Sequence, residues 1–127
     1  MPRATADVIT AVHLDLKSCA GGFVKLRRLT YGQKLHRQSM AMKMAMSQSK
    51  GQDVQAQIDM GNEAVTIFEY ASCIVEHNLE DDNGKLLDFK KEVDVRRLDP
   101  RIGEEIEIAI GKLNNFEEDD ASDPSGN

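Results

Sequence analysis

The fold is decided in the stretch FVKLRRLTYGQKL, residues 23–35. Its first half alternates apolar and basic residues, so Val24 and Leu26 share one face of a strand. The pattern changes at Thr30, which stands three positions before Gln33, the spacing of a capping box at the start of a helix. The stretch therefore predicts a strand that leads directly into a helix.

The segment upstream of this strand repeats the alternation. Val12, Leu14 and Leu16 alternate with polar residues, as in a half-buried strand. Gly21 and Gly22 lie between the two alternating segments, where glycine tolerates the positive φ of a tight turn. We therefore predict an N-terminal β-hairpin. An isolated hairpin is marginal in water, so this one must pack on helices or extend a sheet in a neighbouring copy.

Two main helices are predicted after the hairpin. The first begins at Thr30 and extends to about Lys50, just before Gly51. The second covers about Val54 to Asn78. Its two neighbouring apolar stripes form a face too wide for a two-helix seam, so we expect this helix at the centre of the core. The stripes are Val54, Ile58, Gly61, Val65, Phe68, Ser72, Val75 and Leu79, and Ala64, Ile67, Ala71 and Ile74.

The C-terminal part predicts a turn, a hook and a last helix. Asn83-Gly84 is a strong turn signal. Asp99 as N-cap and Pro100 at the first helical position mark the start of the last helix, which ends near Asn115. The hook consists of Leu86, Leu87 and Phe89, and a short helical piece follows over residues 92–98. The apolar face of the last helix consists of Ile102, Ile106, Ile110 and Leu113.

Length and composition indicate one mainly helical α+β domain. A chain of 127 residues is most simply a single core, which we place at residues 1–116, followed by a disordered acidic tail at residues 117–127. Cys19 and Cys73 lack CxxC spacing, and the sequence has neither a signal-peptide core nor a run of ~18 apolar residues. We therefore expect reduced thiols in a cytoplasm and no membrane partner.

Charge is distributed unevenly along the chain. The net charge is −6, but the first 50 residues carry nine Lys/Arg and two Asp/Glu, whereas the remainder carries seven and twenty. Such asymmetry favours head-to-tail association into a homo-oligomer, or an acidic partner for the first half. The alternative is that the charges only solvate exposed faces.

The sequence gives little support for a catalytic or metal-binding site. His13, His36 and His77 lie in three separate predicted elements without metal-ligand spacing. Cys73 and His77, four positions apart on the predicted second helix, would share a helix face, but two ligands do not make a zinc site. Neither a glycine-rich phosphate loop nor a nucleophile elbow occurs. We therefore expect no enzymatic activity, no metal and no cofactor.

A cationic strip across the hairpin and first helix suggests nucleic acid as one possible partner class. Phosphate contacts need such clustering, but the overall acidity, the acidic tail and the scarcity of aromatic residues argue against it. A small nucleic-acid-binding regulator therefore remains a rival interpretation. The strip consists of Lys25, Arg27, Arg28, Lys34, Arg37 and Lys43.

The methionines of the first helix lie on two opposite sides of it, for which we predict different roles. Positions four apart share a helix face and positions two apart oppose each other. The predicted core face holds Tyr31, Leu35, Met42 and Met46. Met40 and Met44 point the other way beside Arg37, and we predict that these three residues contact a partner, since methionine adapts to varied apolar surfaces. The alternative places Met40 and Met44 in a second core layer under the hairpin.

Three segments in series resemble one protein family. They are FVKLRRLTYGQKLHRQ, VEHNLEDDNGKLLDF and RRLDPRIGEEIEIAIGKLNNFEEDD, and the resemblance covers about Phe23 to Asp120. In their order and spacing the chain resembles the tail assembly chaperones of long-tailed bacteriophages and related prophages. The shared signals are capping and packing motifs, and none of them is catalytic.

The resemblance implies a protein of the bacterial host cytoplasm that binds the tape measure protein, keeps it soluble, recruits tail tube subunits and is absent from the finished virion. It also implies a longer product made by ribosomal frameshifting, whose extension would begin after Phe116. The leading rival is a structural tail or head–tail joining subunit of the virion.

Overall fold

The computed structural model describes residues 2–7, 9–47 and 54–115, with the side chains of residues 44–47 and 54–61 left outside that description. The predicted tail, the end of the domain at residue 116 and the predicted helix end at Lys50 therefore lie outside the described residues.

The described residues form a mainly helical α+β fold, as predicted. An N-terminal hairpin is followed by two main helices, a hook and a C-terminal helix. In chain order the elements are β1 (Val12–Asp15), β2 (Phe23–Leu26), α1 (Tyr31–Ser47), α2 (Val54–Cys73), β3 (Ile74–His77), α3 (Glu92–Arg96) and α4 (Pro100–Asn114).

The predicted hairpin is confirmed and belongs to a three-stranded antiparallel sheet of order β1-β2-β3. Val12 pairs with Leu26 and Leu14 with Val24, so the apolar residues of both strands lie on the same face. Gly21 has a φ of 81° in the turn, a value that a side chain would disfavour. The hairpin is thus completed by a strand of its own chain.

The third strand corrects the predicted second helix. That helix ends at Cys73, and Ile74–His77 turns into the sheet instead of continuing to Asn78. The Asn78 side chain secures the change of direction, because it accepts from the Phe23 N–H at 2.8 Å and donates to the Gly21 carbonyl at 2.9 Å. Val75, predicted for a buried stripe, is consequently half exposed.

The capping box at the start of α1 is confirmed. The Thr30 N–H donates to the Gln33 side-chain oxygen at 3.0 Å, and the Gln33 N–H donates to the Thr30 hydroxyl at 3.2 Å. Leu29, directly before the cap, is buried. Its N–H donates to the Asn114 side chain at 2.8 Å, which links the start of α1 to the end of α4.

The core lies between one face of the sheet and helices α2 and α4. Val24, Ile106 and Ile110 are fully buried there. Tyr70 and Cys73 of α2 are buried too, although neither lies on a predicted stripe. Sequence periodicity missed them because α2 is surrounded on several sides. Asp99 caps α4 as predicted by accepting from the Arg101 N–H at 2.9 Å, and the left-handed Asn115 ends it.

The predicted hook packs against this core with two of its three apolar residues. Leu87 and Phe89 are buried, while Leu86 is exposed, which corrects the prediction for that residue. The Phe89 and Tyr70 rings form a T-shaped pair, with centroids 5.6 Å apart. An extended chain turns successive side chains to opposite sides, so Leu86 and Leu87 cannot both face the helices.

Candidate functional site

Helix α1 presents its apolar side to solvent. Tyr31 is 75% exposed, Leu35 45% and Met42 64%. The partly buried side chains of the helix are Gln33, Lys34, Arg37 and Met40, and none of the described α1 side chains, residues 31–43, is fully buried. The predicted core face of α1 was therefore wrong for these three apolar residues, while the Met46 side chain lies outside the described residues.

A buried ion pair explains this orientation. The Arg37 Nε donates to a Glu69 carboxylate oxygen of α2 at 2.5 Å, and the two side chains are only 19% and 5% exposed. A carboxylate as buried as Glu69 is strongly destabilising unless a cation and hydrogen bonds compensate its lost hydration. The ion pair thus turns the Arg37 side of α1 toward α2 and the opposite side outward.

Glu69 is the residue that sequence reasoning missed. It stands between Phe68 and Tyr70 in an otherwise apolar part of α2. One signal was available, because Glu69 is a lone acidic residue within an apolar run, while α1 carries basic residues and no acidic one. The periodicity of either helix taken alone does not reveal the pair.

The predicted contact residues do not form an outward surface together. Arg37 is engaged with Glu69 between α1 and α2, and Met40, one turn further along the same side, is half-buried. The Met44 side chain lies outside the described residues. Whether these residues contact a partner stays a prediction, but the fully outward side of α1 carries other side chains.

These outward side chains form what we call the outer stripe: Tyr31, Leu35 and Met42. At about 100° per residue the three lie within about 40° of one line along the helix, over a length of about 16 Å. Each is large, and methionine and tyrosine are adaptable or amphipathic contact residues. The exposed, polar Gln38 lies on the same line between Leu35 and Met42. Large apolar side chains exposed together on one side of a helix are typical of a contact site for another apolar surface.

Positive charge borders the outer stripe. Lys34 lies on one border and Lys43 on the other, by the same helical geometry. Arg28 is exposed just before the helix begins. Helix α1 itself carries no Asp or Glu.

The predicted cationic strip for nucleic acid is interrupted by internal contacts. Lys25 pairs with Glu76 at 3.5 Å and Arg37 pairs with Glu69. Arg27 donates to the Arg28 carbonyl at 3.0 Å and to the Gln33 side chain. These contacts reduce the number of cations directed at a phosphate backbone.

A cleft of about 710 Å³ lies between the hairpin turn, the loop after β3 and the start of α4. Arg97 in its lining lies 3.5 Å from the carboxylate of Asp81. Hydrogen bonding from the Lys85 N–H is the largest cause that lowers the pKa of Asp81. Across the described part of the chain, no group of three His, Cys, Asp or Glu side chains is placed to hold a metal ion.

Both cysteines are free. Burial raises the pKa of the Cys73 thiol to about 12, and the nearby Glu69 carboxylate acts in the same direction. A thiol with so high a pKa is not a nucleophile at neutral pH. Burial likewise raises the pKa of Tyr70, whose hydroxyl donates to the Gly103 carbonyl at 2.7 Å. Both groups act in packing.

No protein-family model, curated protein or solved structure matches this chain. Among the described helices, none combines the length and the apolar character that crossing a membrane requires.

Proposed function

We propose that this chain is a non-enzymatic tail assembly chaperone of a long-tailed phage or prophage, acting in the bacterial host cytoplasm. The observation that carries the proposal is the outer stripe, in which Tyr31, Leu35 and Met42 face solvent on a helix whose other side is held by a buried ion pair. The client is the tape measure protein, and tail tube subunits join the complex later.

The chemistry of such a client supports the proposal. A tape measure protein is long and helical, and its apolar positions are exposed until the tube covers them, which is an aggregation hazard. A chaperone for it needs an apolar surface that adapts to many successive helical turns, and methionine and leucine on a helix provide one. Several copies are then needed along one client, in keeping with the predicted homo-oligomer.

The resemblance to tail assembly chaperones supports the same function. It rests on the series of segments between about Phe23 and Asp120, including the Thr30 cap and the Asp99-Pro100 helix start. These motifs build the scaffold that carries the outer stripe. The proposal therefore joins a scaffold of that kind with a surface suited to an apolar client.

If the chain is such a chaperone, a long, helix-rich reading frame that encodes the tape measure protein should lie just downstream of its gene. Co-expression with that reading frame tests the function. The chain should keep that product soluble and co-purify with it. The double variant Leu35→Asp with Met42→Asp should lose the complex while circular dichroism stays unchanged. Val93→Asp is the matched control, because Val93 is an exposed apolar residue of α3, remote in sequence from the outer stripe.

Mass spectrometry of purified particles separates the proposal from its leading rival. A chaperone is missing from finished particles, whereas a structural tail or head–tail joining subunit is abundant there. DNA binding that falls steeply with added salt would instead support the nucleic-acid-binding regulator.

A further inference from the structure

We propose that strand β1 is the contact edge of a symmetric dimer, in which the β1 strands of two copies pair antiparallel about a two-fold axis at Leu14. The three-stranded sheets of the two copies then join into one continuous sheet. The contact uses none of the outer-stripe residues. It goes beyond the proposed function, which does not depend on it.

The backbone of β1 has an unpaired edge, because β1 is an outer strand of the sheet. The Leu16 N–H donates to the Gly22 carbonyl at 2.9 Å. Hydrogen-bonded positions alternate along an antiparallel strand, so the N–H and C=O groups of His13 and Asp15 point away from β2. Among the described residues, no other element hydrogen-bonds to these backbone groups. The edge therefore presents both donors and acceptors to a further strand.

The β1 edge also lacks the features that commonly prevent strand pairing. Natural edge strands are often protected by a proline, a lysine or a bulge. The VHLD sequence of β1 contains neither proline nor lysine, and its pairing with β2 runs from Val12 to Asp15 without a register shift. Val12 is an apolar residue left half exposed at this edge. The strand is thus open to a partner through its backbone and its side chains.

The side chains of β1 are complementary to an inverted copy of the same strand. With the axis at Leu14, His13 of one copy lies opposite Asp15 of the other, and the same pair recurs on the far side of the axis. A carboxylate has two acceptor oxygens, so Asp15 can keep its contact of 2.9 Å with His13 of its own chain and accept from the second imidazole. On the other face of the sheet, the exposed Val12 meets Leu16 of the second copy, which covers its apolar surface.

Hydrogen bonds beyond the ends of β1 exclude shifted registers. A shift of the axis toward the C-terminus makes Lys17 a pairing residue, but its N–H already donates to the Glu105 carboxylate at 2.8 Å. A shift toward the N-terminus makes Ile9 a pairing residue, but its N–H already donates to the Asp7 carboxylate at 2.9 Å. The available pairing length is therefore that of β1 itself.

The charge pattern selects Leu14 over the two positions beside it. An axis at Asp15 would place two carboxylates directly opposite each other, which is destabilising. An axis at His13 would place two imidazoles opposite each other and leave Asp15 opposite the apolar Ala11. The axis at Leu14 pairs imidazole with carboxylate twice and uses residues of β1 alone. This self-complementarity assigns the edge to a second copy of the chain.

Sedimentation velocity from about 10 μM to about 1 mM tests for the dimer. A short paired strand buries less surface than a standard interface, so we expect a weak dimer that dissociates within this range. Hydrogen exchange followed by NMR then locates the contact. The N–H groups of His13 and Asp15 should be protected at the high concentration and exchange quickly at the low one, whereas that of Leu14, which faces β2, should be protected at both.

Two charge variants test the register. Asp15→Lys and His13→Glu should each weaken dimerisation at least roughly tenfold, because each change acts at both symmetry-related pairs. An equal mixture should dimerise about as well as the unchanged chain, since the lysine of one variant then lies opposite the glutamate of the other. Glu76→Lys is the matched control, because Glu76 is an exposed residue of β3 at the opposite edge, and it should dimerise as the unchanged chain does. The exchange measurement decides even where a variant fails to fold.

The other outcomes overturn the inference. A chain that stays monomeric up to about 1 mM refutes the dimer, and protection of His13 and Asp15 that is independent of concentration refutes the intermolecular contact. Variants that dimerise as the unchanged chain does assign the contact to another surface, and a mixture no stronger than either variant refutes the register. If the inference fails while the downstream product still co-purifies, the proposed function stands. If the dimer forms as expected and that product does not bind, the function fails.

Discussion

Replacing Arg37 with alanine removes the guanidinium that hydrogen-bonds Glu69 between α1 and α2. The Glu69 side chain is 5% exposed and cannot recover its hydration without disturbing the helix interface. Removal of one partner of a buried ion pair costs about 3–5 kcal/mol. Because Arg37 is itself 19% exposed, water can reach part of the site, and we expect about 3 kcal/mol.

Urea unfolding followed by circular dichroism measures this loss. With a denaturant dependence of about 1–3 kcal/mol per molar urea for a small domain, the midpoint should fall by roughly 1–3 M. Arg101→Ala is the matched control, because Arg101 also pairs with a carboxylate, that of Asp99 at 3.3 Å, but is 81% exposed. An exposed pair of this kind is screened by water and contributes little to stability.

The double variant Arg37→Leu with Glu69→Leu separates charge from packing. Replacing both buried charges by apolar side chains is often neutral or stabilising, so most of the lost stability should return. The reasoning is refuted if Arg37→Ala shifts the midpoint no more than Arg101→Ala does. It is refuted equally if the double variant is as unstable as the single one.

Three further predictions concern the scaffold. Thr30→Ala should cost about 1 kcal/mol in urea unfolding because the first turn of α1 loses its cap, whereas Ser at this position should cost little. Gly22→Ala should lower stability by about 1–3 kcal/mol in thermal melts, since its Cβ would lie 3.0 Å from a Leu79 methyl and 3.1 Å from the Cys19 carbonyl oxygen. Gly111→Ala has open space around its Cβ and should be neutral or stabilising in the same melts. Burial lowers the pKa of His77, so the folded chain favours the neutral imidazole. The stability that the neutral imidazole contributes is fully present above about pH 6.5, the pKa of an unperturbed histidine. This stability is lost as the pH falls from there toward the pKa of His77 in the folded chain. The unfolding midpoint should therefore drop more between about pH 7.5 and about pH 5 in the unchanged chain than in His77→Gln, and equal drops would contradict the assignment.

Local signals determined where most elements begin and end. The cap of α1 depends on Thr30 and Gln33, three residues apart, and the start of α4 depends on Asp99 and Pro100. These interactions close within one turn of chain, so the residues that make them stand together in the sequence. The fold class, the hairpin and the last helix were predictable for this reason.

Contacts between distant residues decided the rest. The IVEH segment becomes a strand because β2, about 50 residues earlier in the chain, offers it an open edge. Which side of α1 faces outward was ambiguous in the sequence, since methionines occur on both sides. The pair of Arg37 and Glu69, separated by 32 residues, resolves it.

The sequence by itself therefore determined the hairpin, the helix starts and the last helix, because capping, turn and alternation signals act over a few residues, but it did not reveal the strand at Ile74–His77. Only the tertiary structure decided the candidate site. A buried carboxylate on one helix must meet a cation on another, and satisfying that requirement turns Tyr31, Leu35 and Met42 toward solvent, where an apolar partner can reach them.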